Sequence, residues 1–159
     1  MGAVPPSRIE WLSDLVHLEI TLWNRVDARL REEHGLPLAF FWPLYVVGRS
    51  NDESLRVGEL AEALGLTVGG TSKIVDRIER LGLLRREPDA ADRRASRVVL
   101  TADGRRSLAS ASETYQTEMT TLLDAALSAD QQQQMYRLVR RLLDVIDAVE
   151  PADDRSPDR

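Results

Sequence analysis

Residues 58–84 read GELAEALGLTVGGTSKIVDRIERLGLL, and this stretch contains two helix signals separated by a short turn. A first amphipathic helix ends at Gly65, and Thr67 can cap a second helix that runs to Leu81 and ends at Gly82. Two short helices joined by a tight turn form a helix-turn-helix, although an ordinary helical hairpin fits these residues equally well. The core shared by the two helices is predicted to contain Leu60, Ala61, Leu64, Leu66, Thr71 and Ile74.

The next segment, REPDAADRRASRVVLT, predicts a β-hairpin. Residues 83–87 and 97–100 are short strand-like runs, and a polar loop separates them. A hairpin directly after the second helix is the wing of a winged helix. It would carry Arg93 and Arg94 away from the body, where guanidinium groups can reach phosphates or a narrow minor groove. Asp92 could orient the Arg94 side chain, or the pair could only hold the hairpin together.

Long amphipathic helices flank this segment on both sides. Helix 1 is predicted to begin at the capping box Ser7-Arg8-Ile9-Glu10 and to end near Glu33, and residues 40–47 read as a buried second helix. On the C-terminal side one helix covers residues 102–127, and another follows a capping box at residues 128–131. These helices offer more apolar surface than one small domain covers, which favours an intertwined homodimer over a monomeric bundle.

The predicted fold is mainly α-helical, with a small β-hairpin wing. The chain is expected to comprise a disordered N-terminus over 1–8, N-terminal helices for dimerisation and a pocket wall over 9–53, a winged helix-turn-helix DNA-binding domain over 54–101, C-terminal dimerisation helices over 102–149, and a disordered tail over 150–159.

Composition limits the function further. The net charge of the 159 residues is −5, but residues 54–106 hold eleven Lys and Arg against eight Asp and Glu, so the middle of the chain is basic. Cysteine is absent, which excludes thiol sensing and thiolate metal sites. No apolar run approaches the roughly 20 residues that span a bilayer, so we expect a soluble, cytoplasmic protein with no membrane partner.

The order of short motifs within residues 60–105 resembles the MarR (multiple antibiotic resistance regulator) family of bacterial transcription factors. The motifs are LGLT, S-[RK]-x-V-D-R-[LI]-E, GL-[LV]-x-R, D-x-x-DRR and LT-x-x-G, and the flanking helices extend the resemblance from residue 9 to about 149. The resemblance implies an obligate dimer with two winged helices. Such a dimer binds a pseudo-palindromic operator in double-stranded DNA, usually as a repressor released by a small aromatic or anionic ligand.

The resemblance also assigns residues to DNA. The second helix would enter the major groove through its N-terminal turns, with Ser72 and Lys73 as the best candidates for base or phosphate contact. Gly69 and Gly70 replace the proline or larger residue common in the family and would let the backbone approach DNA. Arg56 is a further candidate for a phosphate contact. The predicted DNA contacts are Thr67, Gly69, Gly70, Thr71, Ser72, Lys73, Arg77, Asp92, Arg93 and Arg94.

An effector site is implied between the dimer helices and the winged helix. Aromatic walls with a cationic group would suit a planar carboxylate, although core packing alone also explains each aromatic residue. The candidate lining residues are Trp11, Leu15, His17, Trp23, Phe40, Trp42, Tyr45 and Arg49. His17 and His34 do not form a convincing metal site, and no cofactor is predicted.

Other classes of function fit the sequence less well. The sequence shows no nucleophile with its base, no phosphate-binding glycine loop and no metal cluster, so an enzyme is not predicted. A winged-helix module for protein interaction, without specific DNA binding, is the main alternative. Loss of the wing arginines would favour that alternative, and this chain retains Arg93, Arg94 and Arg97.

Overall fold

The computed structural model describes residues 7–89, 92 and 95–149. These residues form six α-helices, a short 3-10 turn and three β-strands. They divide into two compact units, one ending at Glu118 and the other beginning at Met119. In chain order the elements are α1 (Arg8–His34), α2 (Leu38–Arg49), β1 (Ser54–Arg56), α3 (Val57–Leu64), α4 (Val68–Arg80), β2 (Leu84–Pro88), β3 (Ser96–Leu100), α5 (Ala102–Ala126) and α6 (Ala129–Val149).

Helix α1 begins at the predicted capping box. The Ser7 amide donates to Glu10 Oε2 at 2.8 Å, and the Glu10 amide donates to Ser7 Oγ at 3.2 Å. Both hydrogen bonds lower the pKa of Glu10, and the bond from the Ser7 backbone has the larger effect. Gly35 ends the helix in the left-handed region at φ 62°, which a residue without a Cβ adopts without strain. Since Arg8 is already helical, α1 begins inside the segment that was predicted to be disordered.

The helix-turn-helix is formed by α3 and α4, as predicted. Gly65 ends α3 in the left-handed region at φ 64°, and its amide donates to carbonyls of the last turn. Thr67 caps α4 by accepting a hydrogen bond from the Gly70 amide at 3.2 Å. Gly82 follows α4 with φ 74°. The turn between the two helices is therefore set by Gly65 and Thr67, two residues that can be recognised in the sequence.

A three-stranded antiparallel sheet packs beside these helices, in the order β1-β3-β2. Strands β2 and β3 form the predicted wing hairpin, with Glu87 paired to Arg97 near its outer end. Strand β1 was not predicted. It pairs with β3 so that Arg56 also lies opposite Arg97, and it joins the base of the wing to the start of α3.

The core of the first unit lies between α2, the helix-turn-helix and the sheet. Its buried side chains include Leu30, Phe41, Leu44, Val47, Leu60, Val75, Ile78, Leu84, Val98 and Leu100. Gly104 at the start of α5 packs against the turn before β2, where an added Cβ would lie 2.0 Å from the Leu83 carbonyl oxygen. This close approach gives the final glycine of the LT-x-x-G motif a packing role. Leu66, which was predicted in the core, is instead largely exposed.

Two helices carry exposed apolar stripes in the single chain. Along the first half of α1, Ile9, Leu12, Val16 and Ile20 are all exposed. In the second unit, α6 begins at the predicted capping box, where the Ser128 amide donates to Gln131 Oε1 at 2.9 Å. Its exposed apolar side chains are Met135, Tyr136, Leu138, Val139, Leu142, Leu143, Val145 and Ile146. Within the described ranges, no helix is long and apolar enough to cross a membrane.

Candidate nucleic-acid interface

The N-terminal half of α4 presents a mixed surface. Val68, Gly69 and Lys73 are exposed and Ser72 is half-buried. Residues four apart on a helix are neighbours, so Val68 lies beside Ser72 and Gly69 beside Lys73. We call these four residues the recognition patch. It offers a hydroxyl, a cation, an apolar side chain and a stretch of bare backbone. Val68 was absent from the predicted contacts, although its place directly after the Thr67 cap could have indicated it.

The remaining predicted contacts on α4 fall into two groups. Thr67 is exposed at the helix cap, and Arg77 is exposed one turn beyond Lys73. The Thr71 side chain, however, is fully buried between the helices. Its hydroxyl has no hydrogen-bond partner among the described residues. Thr71 therefore belongs to the core shared by α3 and α4, where it was also predicted. Its side chain does not reach the surface that carries the patch.

Two acidic residues of α4 form ion pairs with one arginine of the wing. Arg86 of β2 lies 2.6 Å from Asp76 Oδ1 and 2.5 Å from Glu79 Oε2, and its amide donates to Glu79 Oε1 at 2.9 Å. Partial burial acts to lower the pKa of Arg86, but the hydrogen bonds and charges of the two carboxylates outweigh it and raise that pKa. Arg86 also donates to Ser72 Oγ at 3.4 Å. The cluster joins α4 to the wing, and the positive charge of Arg86 partly compensates the two carboxylates beside the patch.

A second cluster forms the base of the wing loop. Asp89, directly after β2, is only 4% exposed, and its Oδ2 lies 2.7 Å from Arg56 Nε and 3.5 Å from Arg97 Nη1. The Asp89 amide donates to the Ala95 carbonyl at 3.0 Å, which closes the loop between them. The Asp92 amide donates to Asp89 Oδ1 at 3.3 Å. One carboxylate thus holds the loop that contains the predicted wing contacts.

Arg56, a candidate for a phosphate contact, has an intramolecular partner. Its guanidinium donates to Asp89, and this hydrogen bond is the largest cause of the raised pKa of Arg56. Arg97 also has a structural contact, since its Nε donates to Ser54 Oγ at 2.7 Å. Arg93 and Arg94 lie outside the described residues, and so does the predicted pairing of Asp92 with Arg94. Asp92 itself is exposed.

An apolar groove of about 620 Å³ lies between α1, α2 and the helix-turn-helix. Of the predicted effector residues, Trp23, Trp42 and Tyr45 line it, whereas Trp11, Leu15, His17 and Phe40 do not. Arg49 lines an adjoining cavity of about 300 Å³, where its guanidinium lies 5.4 Å from the Tyr45 ring centroid and donates to the Tyr45 hydroxyl at 3.1 Å. The lining residues that sequence reasoning missed are Ala39, Pro43, Val46, Ala63, Leu64, Leu66 and Ile74.

Metal-binding chemistry has little support in the described part of the chain. No group of three or more His, Asp or Glu side chains in those ranges could hold a metal ion. His34, one of the two histidines, contacts hydroxyls of α5, with Nε2 2.8 Å from Thr114 Oγ1.

A helix-turn-helix followed by an antiparallel wing defines the winged-helix class of regulators, and comparisons with known proteins identify the family. A model of the MarR family matches residues 34–95. The transcriptional regulator HosA from Escherichia coli O157:H7 is 33% identical over 135 residues, which cover 78% of this chain and 98% of HosA. The chain therefore belongs to the MarR family of transcriptional regulators.

More distant relatives agree with this assignment. The transcriptional repressor MprA from Escherichia coli K12 is 26% identical over 137 residues, covering 85% of this chain and 76% of MprA. Among solved structures, the MarR family regulator Sco3205 from Streptomyces coelicolor, in complex with DNA, has a TM-score of 0.80 at 24% identity. That match covers 96% of this chain and 97% of Sco3205 and supports the fold. The names of these relatives describe regulators rather than enzymes.

Proposed function

We propose that this protein is a sequence-specific, DNA-binding transcriptional repressor that acts as a ligand-responsive homodimer. The observation that carries the proposal is the recognition patch, which is exposed at the start of α4, while Arg86 pairs with the two carboxylates beside it and partly compensates their charge. Helix α4 would enter the major groove through this patch, and the wing would contact the adjacent backbone. The structure of Sco3205 with DNA supports this role for the shared fold, and the name of the repressor MprA supports the direction of regulation.

The first test is binding of the purified protein to the DNA upstream of its own gene. Affinity is measured over a salt series, with a scrambled competitor of equal composition. We expect competitor-resistant binding at one dimer per site, because two-fold symmetric winged helices match a pseudo-palindrome. Weak binding that is equal for both DNAs and is lost at physiological salt would instead favour a winged-helix module for protein interaction.

The wing can be tested by Arg94→Ala. We expect weaker DNA binding and an unchanged dimer, because Arg94 is predicted at the wing tip. If Arg94 contacts a phosphate, the slope of log affinity against log salt becomes shallower by about 0.9 for that contact. Unchanged operator affinity at moderate salt would remove the wing from the mechanism.

The homodimer is supported by the exposed apolar stripes of α1 and α6. An isolated soluble chain rarely leaves such contiguous apolar faces uncovered, and a second copy would cover them. Sedimentation is expected to give twice the mass of the chain. Leu142→Glu, on the exposed stripe of α6, should weaken the dimer. Gln133→Glu, a polar exposed position on the same helix, is the matched control and should leave the dimer intact.

The effector site is the groove between α1, α2 and the helix-turn-helix. Its walls are apolar and aromatic, and Arg49 lies beside Tyr45 at one side of it. An aromatic ring with a carboxylate would place the ring in the groove and the charge at Arg49. Because Leu64, Leu66 and Ile74 belong to the helix-turn-helix, a ligand that wedges against them would shift its two helices.

Benzoate and its neutral analogue benzamide test this effector class. Benzoate is expected to raise the melting temperature and to weaken DNA binding more than benzamide does. Arg49→Met should abolish the difference between the two compounds, because it keeps an unbranched apolar stem and removes the charge. Equal effects of both compounds on the wild-type protein would show that the site does not select an anion.

A further inference from the structure

Val68 is an exposed apolar residue in a position that folding does not explain. It is the first residue of α4 and is 58% exposed, whereas Val75 and Ile78 of the same helix are fully buried. An exposed valine in the first turn gains little helix propensity, since β-branched residues are weaker helix formers than alanine. Its neighbour four residues on is Ser72, so its methyl groups belong to the surface that carries the polar groups of the recognition patch.

Gly69 beside Val68 leaves this surface open. Its backbone is helical. Apart from its chain neighbours and the backbone of its own helix, no heavy atom would lie within 4 Å of a Cβ added there. Thus neither a tight contact in the protein nor a left-handed turn requires glycine at this position. Another molecule can approach the backbone here and reach the Val68 methyl groups and the Lys73 side chain together.

The chemistry of the major groove identifies what an apolar side chain would contact. Hydrogen-bond donors and acceptors line the base edges, and the C5 methyl of thymine is the apolar group in that groove. Valine suits this contact because its two methyl groups are held in few rotamers, so little entropy is lost on binding.

We propose that Val68 is a specificity-determining residue that contacts a thymine C5 methyl in each half-site of the operator. This inference rests on the proposed function as a DNA-binding regulator. Ser72 and Lys73 would supply the polar and phosphate contacts around it, and Gly69 would supply the space.

Deoxyuridine provides a direct probe, because it differs from thymidine only in lacking the C5 methyl. A binding site is first selected from a random pool of duplex DNA with the wild-type dimer. Each thymine of the selected site is then replaced by deoxyuridine in turn, symmetrically in both half-sites. We expect one position at which the wild-type protein loses about fourfold in affinity for each methyl removed, the value of one buried CH₂ group.

The same DNA series is measured with Val68→Ala and with a matched control, Leu81→Ala. Leu81 lies at the opposite end of α4 and is 57% exposed, so this change removes comparable apolar surface far from the patch. In Val68→Ala the deoxyuridine penalty at that position should fall below twofold, and in Leu81→Ala it should remain. Melting temperatures confirm that each variant is folded.

The possible failures are distinguishable. If the wild-type protein enriches no sequence from the pool, the proposed function fails, and the role of Val68 fails with it. If the wild-type protein selects a site but Val68→Ala keeps every deoxyuridine penalty, the protein binds DNA and only the role of Val68 is overturned.

Discussion

Asp89 Oδ2 accepts a hydrogen bond from Arg56 Nε at 2.7 Å, and this pair joins the start of α3 to the end of strand β2. The same oxygen lies 3.5 Å from Arg97 of β3. Three separate segments of the chain therefore meet at one buried carboxylate. The Asp89 amide also donates to the Ala95 carbonyl, so this residue provides both a backbone and a side-chain contact at the base of the wing loop.

Asp89→Asn is expected to weaken both the fold and DNA binding. The amide keeps the size of the side chain but removes the charge that holds two arginines, and losing charge-assisted hydrogen bonds costs about 2 kcal/mol of the free energy of unfolding. DNA affinity should fall because the wing loop loses its anchor. Urea unfolding and a DNA titration at fixed salt measure the two effects.

Glu87→Gln is the control on the same strand. Glu87 pairs with Arg85 at 2.5 Å, but both side chains are exposed, so the change should cost less than about 0.5 kcal/mol. A double variant of Asp89→Asn with Arg94→Ala should bind DNA little worse than Asp89→Asn alone. Fully additive losses would show that Asp89 does not act through the wing loop.

Acid stability is expected to depend in part on Glu33 and Thr114. Thr114 Oγ1 donates to Glu33 Oε2 at 2.7 Å, and this hydrogen bond is the largest cause of the lowered pKa of Glu33, with the charge of Arg29 also contributing. A carboxyl group whose pKa is lower in the folded state adds stability above its unfolded pKa, near 4.5. That stability is lost as pH falls through the folded-state pKa.

Thr114→Val should therefore raise the pKa of Glu33 toward its ordinary value and reduce the loss of stability on acidification. Carboxyl chemical shifts followed by NMR from pH 2 to pH 7 measure this pKa directly. Glu10, whose pKa is lowered by Ser7, is the internal control and should not move. Thr114→Ser keeps the hydroxyl, so a pKa that rose equally in both variants would exclude the hydrogen bond as its cause.

The parts of the fold that follow from local signals were predicted well. Gly65, Thr67 and Gly82 mark the ends of α3 and α4 because capping and left-handed turns are decided by a few adjacent residues. Strand β1 has three residues and forms only through pairing with β3, more than 40 positions away. Hydrophobic periodicity carries no signal for so short a segment, so β1 was missed.

The roles of single polar residues and of the groove needed tertiary structure. In the sequence Asp89 resembles any other acidic loop residue, and only the fold places Arg56 and Arg97 beside it. Trp11 and Leu15 were pocket candidates because the resemblance implies a crevice beside the dimer helices, but an apolar stripe on a helix does not specify what covers it. Of the candidates, Trp23 and Trp42 line the groove, together with Leu66 from the turn of the helix-turn-helix.

The buried hydroxyl of Thr71 predicts a stabilising substitution. Thr71→Val replaces an unpaired hydroxyl by a methyl of similar size, which should raise the free energy of unfolding by about 1 kcal/mol. DNA affinity should stay within twofold, since the side chain does not reach the surface. Thermal unfolding and a DNA titration measure both quantities, and a large loss of affinity would restore Thr71 to the DNA contacts.

Thr67→Val on the same helix is the matched comparison for this variant. It removes the hydroxyl that accepts the Gly70 amide, and loss of such a cap costs about 1 kcal/mol. Replacing threonine by valine is therefore expected to stabilise the protein at position 71 and to destabilise it at position 67, one helical turn away. Equal signs at the two positions would contradict this account of the start of α4.

Gly69→Ala is expected to separate folding from function. Because the position is exposed, helical and free of neighbours within 4 Å, alanine should stabilise the protein by up to about 1 kcal/mol. The new methyl group would occupy the space through which DNA approaches the patch, so DNA affinity should fall at least tenfold. Gly58→Ala is the control, since Gly58 is also the second residue of its helix, α3, and also has open space around it. Both variants should gain stability, and only Gly69→Ala should lose DNA binding; an affinity unchanged by Gly69→Ala would mean that the backbone there does not approach DNA.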